Sequence, residues 1–205
     1  CRQEDDFKLR PEQLQAALTP RTKLVVLGFP NNPTGAVLEK SEVEALAEVL
    51  RNQSVLVLSD ELYAEVTYEP ASHYSIAAAA GMRDKTVVIN GFSKAFAMTG
   101  WRIGFACGPQ ELIAAMNKIH QYAIMSSPTT AQEAALAALR NGENHVIVMR
   151  EEYNRRRRYV VQACRDAGLD CFEPLGAFYV FPDIRPTGMT SSAFCETFLS
   201  EEKVA

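Results

Sequence analysis

The sequence predicts an α/β layer fold. Short apolar runs of strand length, such as Leu24 to Phe29 and Val55 to Leu58, alternate with stretches whose apolar residues recur at helical spacing. The 205 residues are 47% hydrophobic, which is ample for a real core.

Taken in order, Leu24 to Phe29 reads as a strand. Lys40 to Arg51 reads as an amphipathic helix with Val43, Leu46, Ala47 and Leu50 on one side. Ser41, with Glu44 three residues on, fits a capping box at its start. Val55 to Leu58 and Val87 to Ile89 read as buried strands, and Ile103 to Cys107 as a shorter one ended by Gly108-Pro109. Helices are expected at Gln110 to Tyr122 and Thr130 to Arg140. Asn141-Gly142 breaks the pattern. A long helix, Asn144 to Ala167, then runs to Gly168. A second small layer follows, with strands near Leu169 to Glu173 and Phe178 to Phe181 and a helix from Ser191 to Ser200. The domain boundary is expected near Gly142. Residues 1–142 then form part of a large domain, and residues 143–205 a connecting helix and part of a smaller one.

Composition narrows the function. A net charge of −4 and a pI near 5.5 argue against a general nucleic-acid binder. The apolar stretches are strand-sized, so no membrane-spanning helix is expected. Cys1, Cys107, Cys164, Cys171 and Cys195 are scattered, which fits a reduced, cytoplasmic setting. His73, His120 and His145 lie far apart and give no metal-ligand spacing. The arginine run Arg155 to Arg158 follows Glu151 and Glu152 at helical pairing distance. It reads as a solvated helix face, not as a nucleic-acid patch.

The chemistry centres on Lys94. Thr86-Val87-Val88-Ile89 leads into Asn90-Gly91-Phe92-Ser93-Lys94-Ala95-Phe96-Ala97-Met98-Thr99-Gly100-Trp101-Arg102-Ile103-Gly104. Burial just past a strand disfavours an ammonium, and a neutral amine forms a Schiff base with an aldehyde. Eight residues on, Arg102 supplies a planar cation suited to a phosphate. Amine plus phosphate clamp is what pyridoxal 5′-phosphate requires of a protein. Two further segments also follow strand-like runs: Phe29-Pro30-Asn31-Asn32-Pro33-Thr34-Gly35 and Ser59-Asp60-Glu61-Leu62-Tyr63. Ligands of open α/β sheets gather at the carboxyl ends of strands. Asn32, Asp60 and Lys94 can therefore converge, although 28 and 34 residues separate them in sequence.

With these three motifs in this order, and with Gly176-Ala177-Phe178-Tyr179-Val180-Phe181-Pro182, the chain resembles the fold-type I pyridoxal-phosphate enzymes. Within them it looks like the class I/II aminotransferases, and in its lysine motif like the bacterial aspartate and aromatic subgroup. The resemblance implies a mostly parallel large domain with flanking helices and the start of a smaller α+β domain. It implies that Lys94 holds the cofactor and moves the substrate proton, and that Asp60 faces the pyridine nitrogen. Asn32 and Tyr63 would bond the phenolic oxygen, Ser93 and Arg102 the phosphate, and Leu62 would pack beneath the ring. Gly91 lies where many relatives carry a hydroxyl ligand of the phosphate, so only its backbone can serve there. Each residue also has a plainer reading. Lys94 fits a loop lysine, Asp60 a turn or helix cap, Asn32 an Asn-Pro turn, Tyr63 a core aromatic and Arg102 a structural ion pair.

The implied activity is amino transfer between an amino acid and a 2-oxo acid, in a homodimer that shares its active sites. Ser126-Ser127-Pro128 resembles the segment that family dimers send to the partner, or else is a plain capping loop. The rivals are a pyridoxal-phosphate β-elimination lyase and a non-catalytic effector domain of a regulator. The latter needs a DNA-binding module, and none is visible within these residues. Relatives place a ring-stacking aromatic and a phosphate-binding turn upstream, and an arginine for the substrate α-carboxylate downstream. The sequence is therefore expected to be part of a longer polypeptide.

Overall fold

The computed structural model describes residues 1–204. In chain order it contains α1 (Pro11–Ala17), β1 (Leu24–Gly28), α2 (Lys40–Arg51), β2 (Leu56–Asp60), β3 (Thr86–Gly91), α3 (Phe92–Ala95) and β4 (Gly104–Cys107). The helices α4 (Gln110–Ala123), α5 (Thr129–Asn141), α6 (Glu143–Asp166) and α7 (Ser191–Glu202) follow. The sheet order is β1-β2-β3-β4; the first three strands are parallel and β4 is antiparallel to β3. Gly28 pairs with Asp60, and Asp60 with Ile89, so the carboxyl ends of three strands lie side by side. No described helix is long and apolar enough to cross a membrane.

Helix α2 has the predicted bounds and buries the predicted face: Leu46, Ala47 and Leu50 are fully inaccessible and Val43 nearly so. Burying each Leu or Val contributes about 1.5–3 kcal/mol. Its cap differs from the expectation. Glu39, not Ser41, is the cap, and the Glu42 carboxylate accepts from the Glu39 amide at 2.8 Å. The other end is held by the Lys85 ammonium, which donates to the carbonyls of Leu50, Arg51 and Gln53 at 3.1, 3.0 and 2.6 Å. A cation there also offsets the negative end of the helix dipole.

Strand β2, expected to be buried, is covered on one face only, and β1 likewise. Leu27 and Val57 pack in the cluster formed with α1 and α2. On the other face Leu24, Val26 and Leu56 are 49%, 61% and 38% exposed. The two short strands expected after α6 are also absent. Only single bridges form there, Thr67 with Gly176 and Cys171 with Pro182. Pro174 and Pro182 have no N–H to continue a ladder. Gly142 lies between α5 and α6, and a side chain there would meet the Ala138 carbonyl 2.5 Å away.

The segment after α6 returns to the sheet through a close backbone contact. The Gly35 carbonyl accepts from the amides of Leu175 and Gly176 at 3.1 and 2.9 Å. Beside it, Tyr68 N donates to the Leu175 carbonyl and Ala177 N to the Val66 carbonyl at 2.9 and 2.8 Å. Gly35 has φ +72°, and a Cβ on it would collide with Pro174 and come within 2.7 Å of the Gly176 carbonyl. Arg157 secures the same segment from α6. It pairs with Glu173, donates to the Pro174 carbonyl at 3.2 Å and lies 5.1 Å from the Tyr68 ring centroid. Burial pushes the Tyr68 phenol up to about 12, against the pull of Arg157. The arginine run is thus not one solvated face. Arg155 and Arg156 bind Glu152 at the surface, while Arg157 turns inward with its side chain 9% exposed.

A buried carboxylate holds the end of β2. Glu61 is 5% exposed and accepts from Ser59 and Ser75 at 2.8 and 2.6 Å, with His73 Nε2 2.9 Å away. Burial opposes its charge. The hydrogen bonds from His73, Ser75 and Ser59 and the attraction of His73 outweigh that opposition and hold its carboxyl below the usual value.

Gly35→Ala is expected to destabilise the protein by about 2–4 kcal/mol, through the left-handed φ and the clash. Chemical denaturation measures this, and a loss under about 0.5 kcal/mol would mean that the contact yields freely. A second expectation concerns acid. Because the folded Glu61 value lies below its ordinary 4.5, the stability it contributes is complete above about pH 4.5 and is lost as pH falls through the folded value. The stability gap between the native protein and Glu61→Gln should therefore close on acidification, and a gap independent of pH would contradict the assignment.

Candidate active site

Asn32, Asp60, Tyr63, Ser93 and Lys94 lie at or just beyond the ends of β1, β2 and β3, and Arg102 precedes β4, whose first residue pairs with Gly91. After β1, Asn31 builds the turn. Its side-chain oxygen accepts from the Thr34 hydroxyl at 2.8 Å, and its amide donates to the Gly28 carbonyl at 3.2 Å. Asn32 is thereby left exposed beyond the strand end, where its Nδ2 donates to the Tyr179 hydroxyl at 3.3 Å. Asp60 closes β2, and its Oδ1 accepts from Leu62 N at 3.2 Å. The turn reading of Asp60 is thus correct for one oxygen. Strand alternation sends Asp60 and Glu61 to opposite faces, so the buried anchor and the candidate site residue are neighbours in sequence.

Beyond β3 comes the four-residue α3, which carries Ser93 and Lys94. A Cβ on Gly91 would meet Gly104 Cα at 3.0 Å, the Ile103 carbonyl at 3.1 Å and Leu62 Cδ2 at 3.4 Å. Pairing with β4 thus leaves little room for a side chain there. Lys94 is half-buried, less than predicted, and its Nζ faces rings: 5.5 Å to the Tyr63 centroid and 5.3 Å to that of Phe178. Tyr63 is buried, as its core reading requires, and its hydroxyl lies 2.5 Å from that of Tyr179.

Arg102 is exposed in a left-handed conformation, φ 51°, and donates to the Thr99 carbonyl at 2.8 Å. Among the described residues it forms no ion pair. The Thr99 hydroxyl in turn donates to the Ser93 carbonyl at 3.1 Å. Arg102, Ser93, Leu62 and Asn90 line one cleft of about 580 Å³. Ser126 is exposed, and the Ser127 carbonyl accepts from Gln132 Nε2 at 2.8 Å at the start of α5.

Sequence reasoning gave no role to Phe178 or Tyr179. Both pack edge-on against Tyr63, with centroids 5.4 and 5.8 Å apart. Burial pushes the Tyr179 phenol above its ordinary value, and Tyr63 adds to this while Lys94 opposes it. The paired aromatics after Gly176-Ala177 were the available signal, but nothing local says that they meet a residue 116 positions earlier. Asn32, Tyr63 and Lys94 are thus joined through Tyr179 and the Tyr63 and Phe178 rings, with Asp60 at the adjacent strand end, while Ser93 and Arg102 line a cleft whose walls include none of these four. Together these groups can hold a planar anionic ligand and transfer a proton.

The whole chain, residues 1–205, matches the family described as aminotransferase class I and II. YugH of Bacillus subtilis (strain 168), which carries an aminotransferase name, is 50% identical over 97% of this chain and 51% of its own length. An aspartate aminotransferase of Pyrococcus abyssi is 42% identical over 99% of this chain and 53% of its own length. The crystal structure of an aromatic aminotransferase from Pyrococcus horikoshii OT3 superposes with a TM-score of 0.96 at 43% identity, over 100% of this chain and 55% of that one. The chain spans about half the length of the relatives it matches. Extent of match, identity and superposition agree, and the chain belongs to the class I and II aminotransferases.

Proposed function

We propose that the protein carrying this sequence is a pyridoxal-phosphate-dependent aminotransferase acting on an amino acid and a 2-oxo acid. The observation that carries this reading is the convergence of Asn32, Asp60, Tyr63 and Lys94 at the carboxyl ends of adjacent parallel strands. The donor set fits the cofactor group by group. An amine suits the aldehyde, a carboxylate the pyridine nitrogen, an amide and a phenol the phenolic oxygen, and a hydroxyl and a guanidinium the phosphate.

Bound pyridoxal phosphate supplies an electron sink for charge developing at the amino acid's α-carbon. Lys94 would hold the cofactor and, once freed, take and return the α-proton; its place over two ring faces supports this position. Asp60 has one oxygen committed to Leu62 N and would use the other to keep the pyridine nitrogen protonated. Asn32 and Tyr63 would donate to the phenolic oxygen, and Ser93 and Arg102 to the phosphate. Leu62, which lines the same cleft, would pack beneath the ring. We also place the start of the second domain at Gly142 and assign the protein to a homodimer. Its free cysteines support a cytoplasmic setting.

Asp60→Ala in the purified protein should lower kcat by at least ~10²-fold with little loss of folding stability, because the carboxylate acts on charge that develops in the reaction. A near-normal kcat would reduce Asp60 to a turn residue. Product analysis tests the reaction itself. Amino transfer that requires an added 2-oxo acid is expected, while release of ammonia and pyruvate without one would move the assignment to the lyases.

A further inference from the structure

We propose that Tyr179 is a positioning residue for the cofactor site: its hydroxyl sets the orientation of both Tyr63 and Asn32 and links that donor pair to the segment beyond α6. The inference rests on the cofactor reading above and adds a residue to it. One hydroxyl reaches both donors, at 2.5 Å from the Tyr63 oxygen and 3.3 Å from Asn32 Nδ2. Neither contact is local, since Tyr179 lies 116 residues from Tyr63 and 147 from Asn32.

The arrangement takes its direction when the cofactor binds. A tyrosine hydroxyl has one proton and two acceptor sites. The Asn32 amide can only donate to Tyr179, which occupies one acceptor site of that oxygen. The second acceptor site leaves either hydroxyl able to donate across the Tyr63–Tyr179 contact; once Tyr63 donates its proton to the cofactor's phenolic oxygen, the Tyr179 proton points to Tyr63. A phenol that accepts a hydrogen bond is a stronger donor in turn, because such chains polarise one another. Tyr179 thereby strengthens donation by Tyr63 to that oxygen. The ring of Tyr179 is held in place independently of any ligand. It follows the Gly35 seam by three residues, Ala177 donates its amide to the Val66 carbonyl at 2.8 Å, and Tyr68 donates to the Ala177 carbonyl at 2.5 Å. The position of the later segment is therefore transmitted to the two donors through one hydroxyl.

The test uses the full protein loaded with pyridoxal phosphate and reads two quantities besides turnover: cofactor affinity, and the midpoint of the pH-dependent change in cofactor absorbance. Tyr179→Phe keeps the ring and removes the hydroxyl. It should weaken cofactor binding by about 3–10-fold, the worth of one hydrogen bond. It should also raise the absorbance midpoint by about 0.3–1 pH unit, because a less polarised Tyr63 stabilises the phenolic oxygen less. In a Tyr63→Phe background the same substitution should move the midpoint by less than about half as much, since its main path is gone. A structural role alone predicts equal shifts in the two backgrounds. Equal shifts, an unmoved midpoint, or tighter binding by Tyr179→Phe would each overturn the proposal; tighter binding would mean that the hydroxyl occupies the ligand's own place. Incorporation of 3-fluorotyrosine at position 179 retains ring and hydroxyl but acidifies the proton, so it reports even if the Phe variant fails to fold. An unmoved midpoint with that replacement also counts against the proposal. If the unsubstituted protein shows no pH-dependent cofactor absorbance, the site reading itself is wrong and this inference goes with it.

Discussion

Much of this molecule depends on one backbone contact, at Gly35. Without a side chain, residue 35 can take a left-handed φ and accept two amide protons from Leu175 and Gly176. That contact brings a segment more than a hundred residues downstream against the turn that follows β1. Phe178 and Tyr179 then fall on Tyr63, and the rings of Tyr63 and Phe178 form the surface that Lys94 faces. Arg157 secures the segment from the other side through Glu173 and the Pro174 carbonyl. The aromatic half of the site is therefore a consequence of chain return, and the titratable half a consequence of strand ends.

The strand ends follow a different physical logic. A parallel sheet aligns its carboxyl edges, so residues separated by long crossovers meet without contact between the crossovers themselves. At β2 this is combined with strand alternation. Glu61 turns inward to a network of Ser59, His73 and Ser75, while Asp60 turns the other way and, among the described residues, its side chain accepts one bond, from Leu62 N. A buried ion is costly unless it is fully hydrogen-bonded, and Glu61 has partners on both oxygens. The rigidity that this network gives to the end of β2 is passed to Asp60 through one peptide bond.

Much of the fold was legible in the sequence, for local reasons. Lys40–Arg51 was found because four apolar positions at helical spacing face an otherwise polar surface. The candidate residues at the ends of β1, β2 and β3 stand out because apolar runs end abruptly in polar, chemically specific residues. What failed was tertiary. The strands expected after α6 are single bridges, because Pro174 and Pro182 interrupt the ladder. Arg157 was lost in a run of four arginines, since nothing local says which one points inward. The open faces of β1 and β2 were also unreadable, because a run such as Leu24 to Leu27 looks the same whether one side or both are covered. Tyr179 lay in a segment that looked familiar, yet its partners are set by the Gly35 contact and not by its neighbours.

The central claim is that the convergent strand ends form a cofactor site built on Lys94. The most direct measurement is borohydride reduction of the full protein incubated with pyridoxal phosphate, followed by peptide mapping. The account predicts one pyridoxyl group on Lys94, in the peptide that contains Gly91 to Arg102. A pyridoxyl group on another lysine, with Lys94 unmodified, would contradict it.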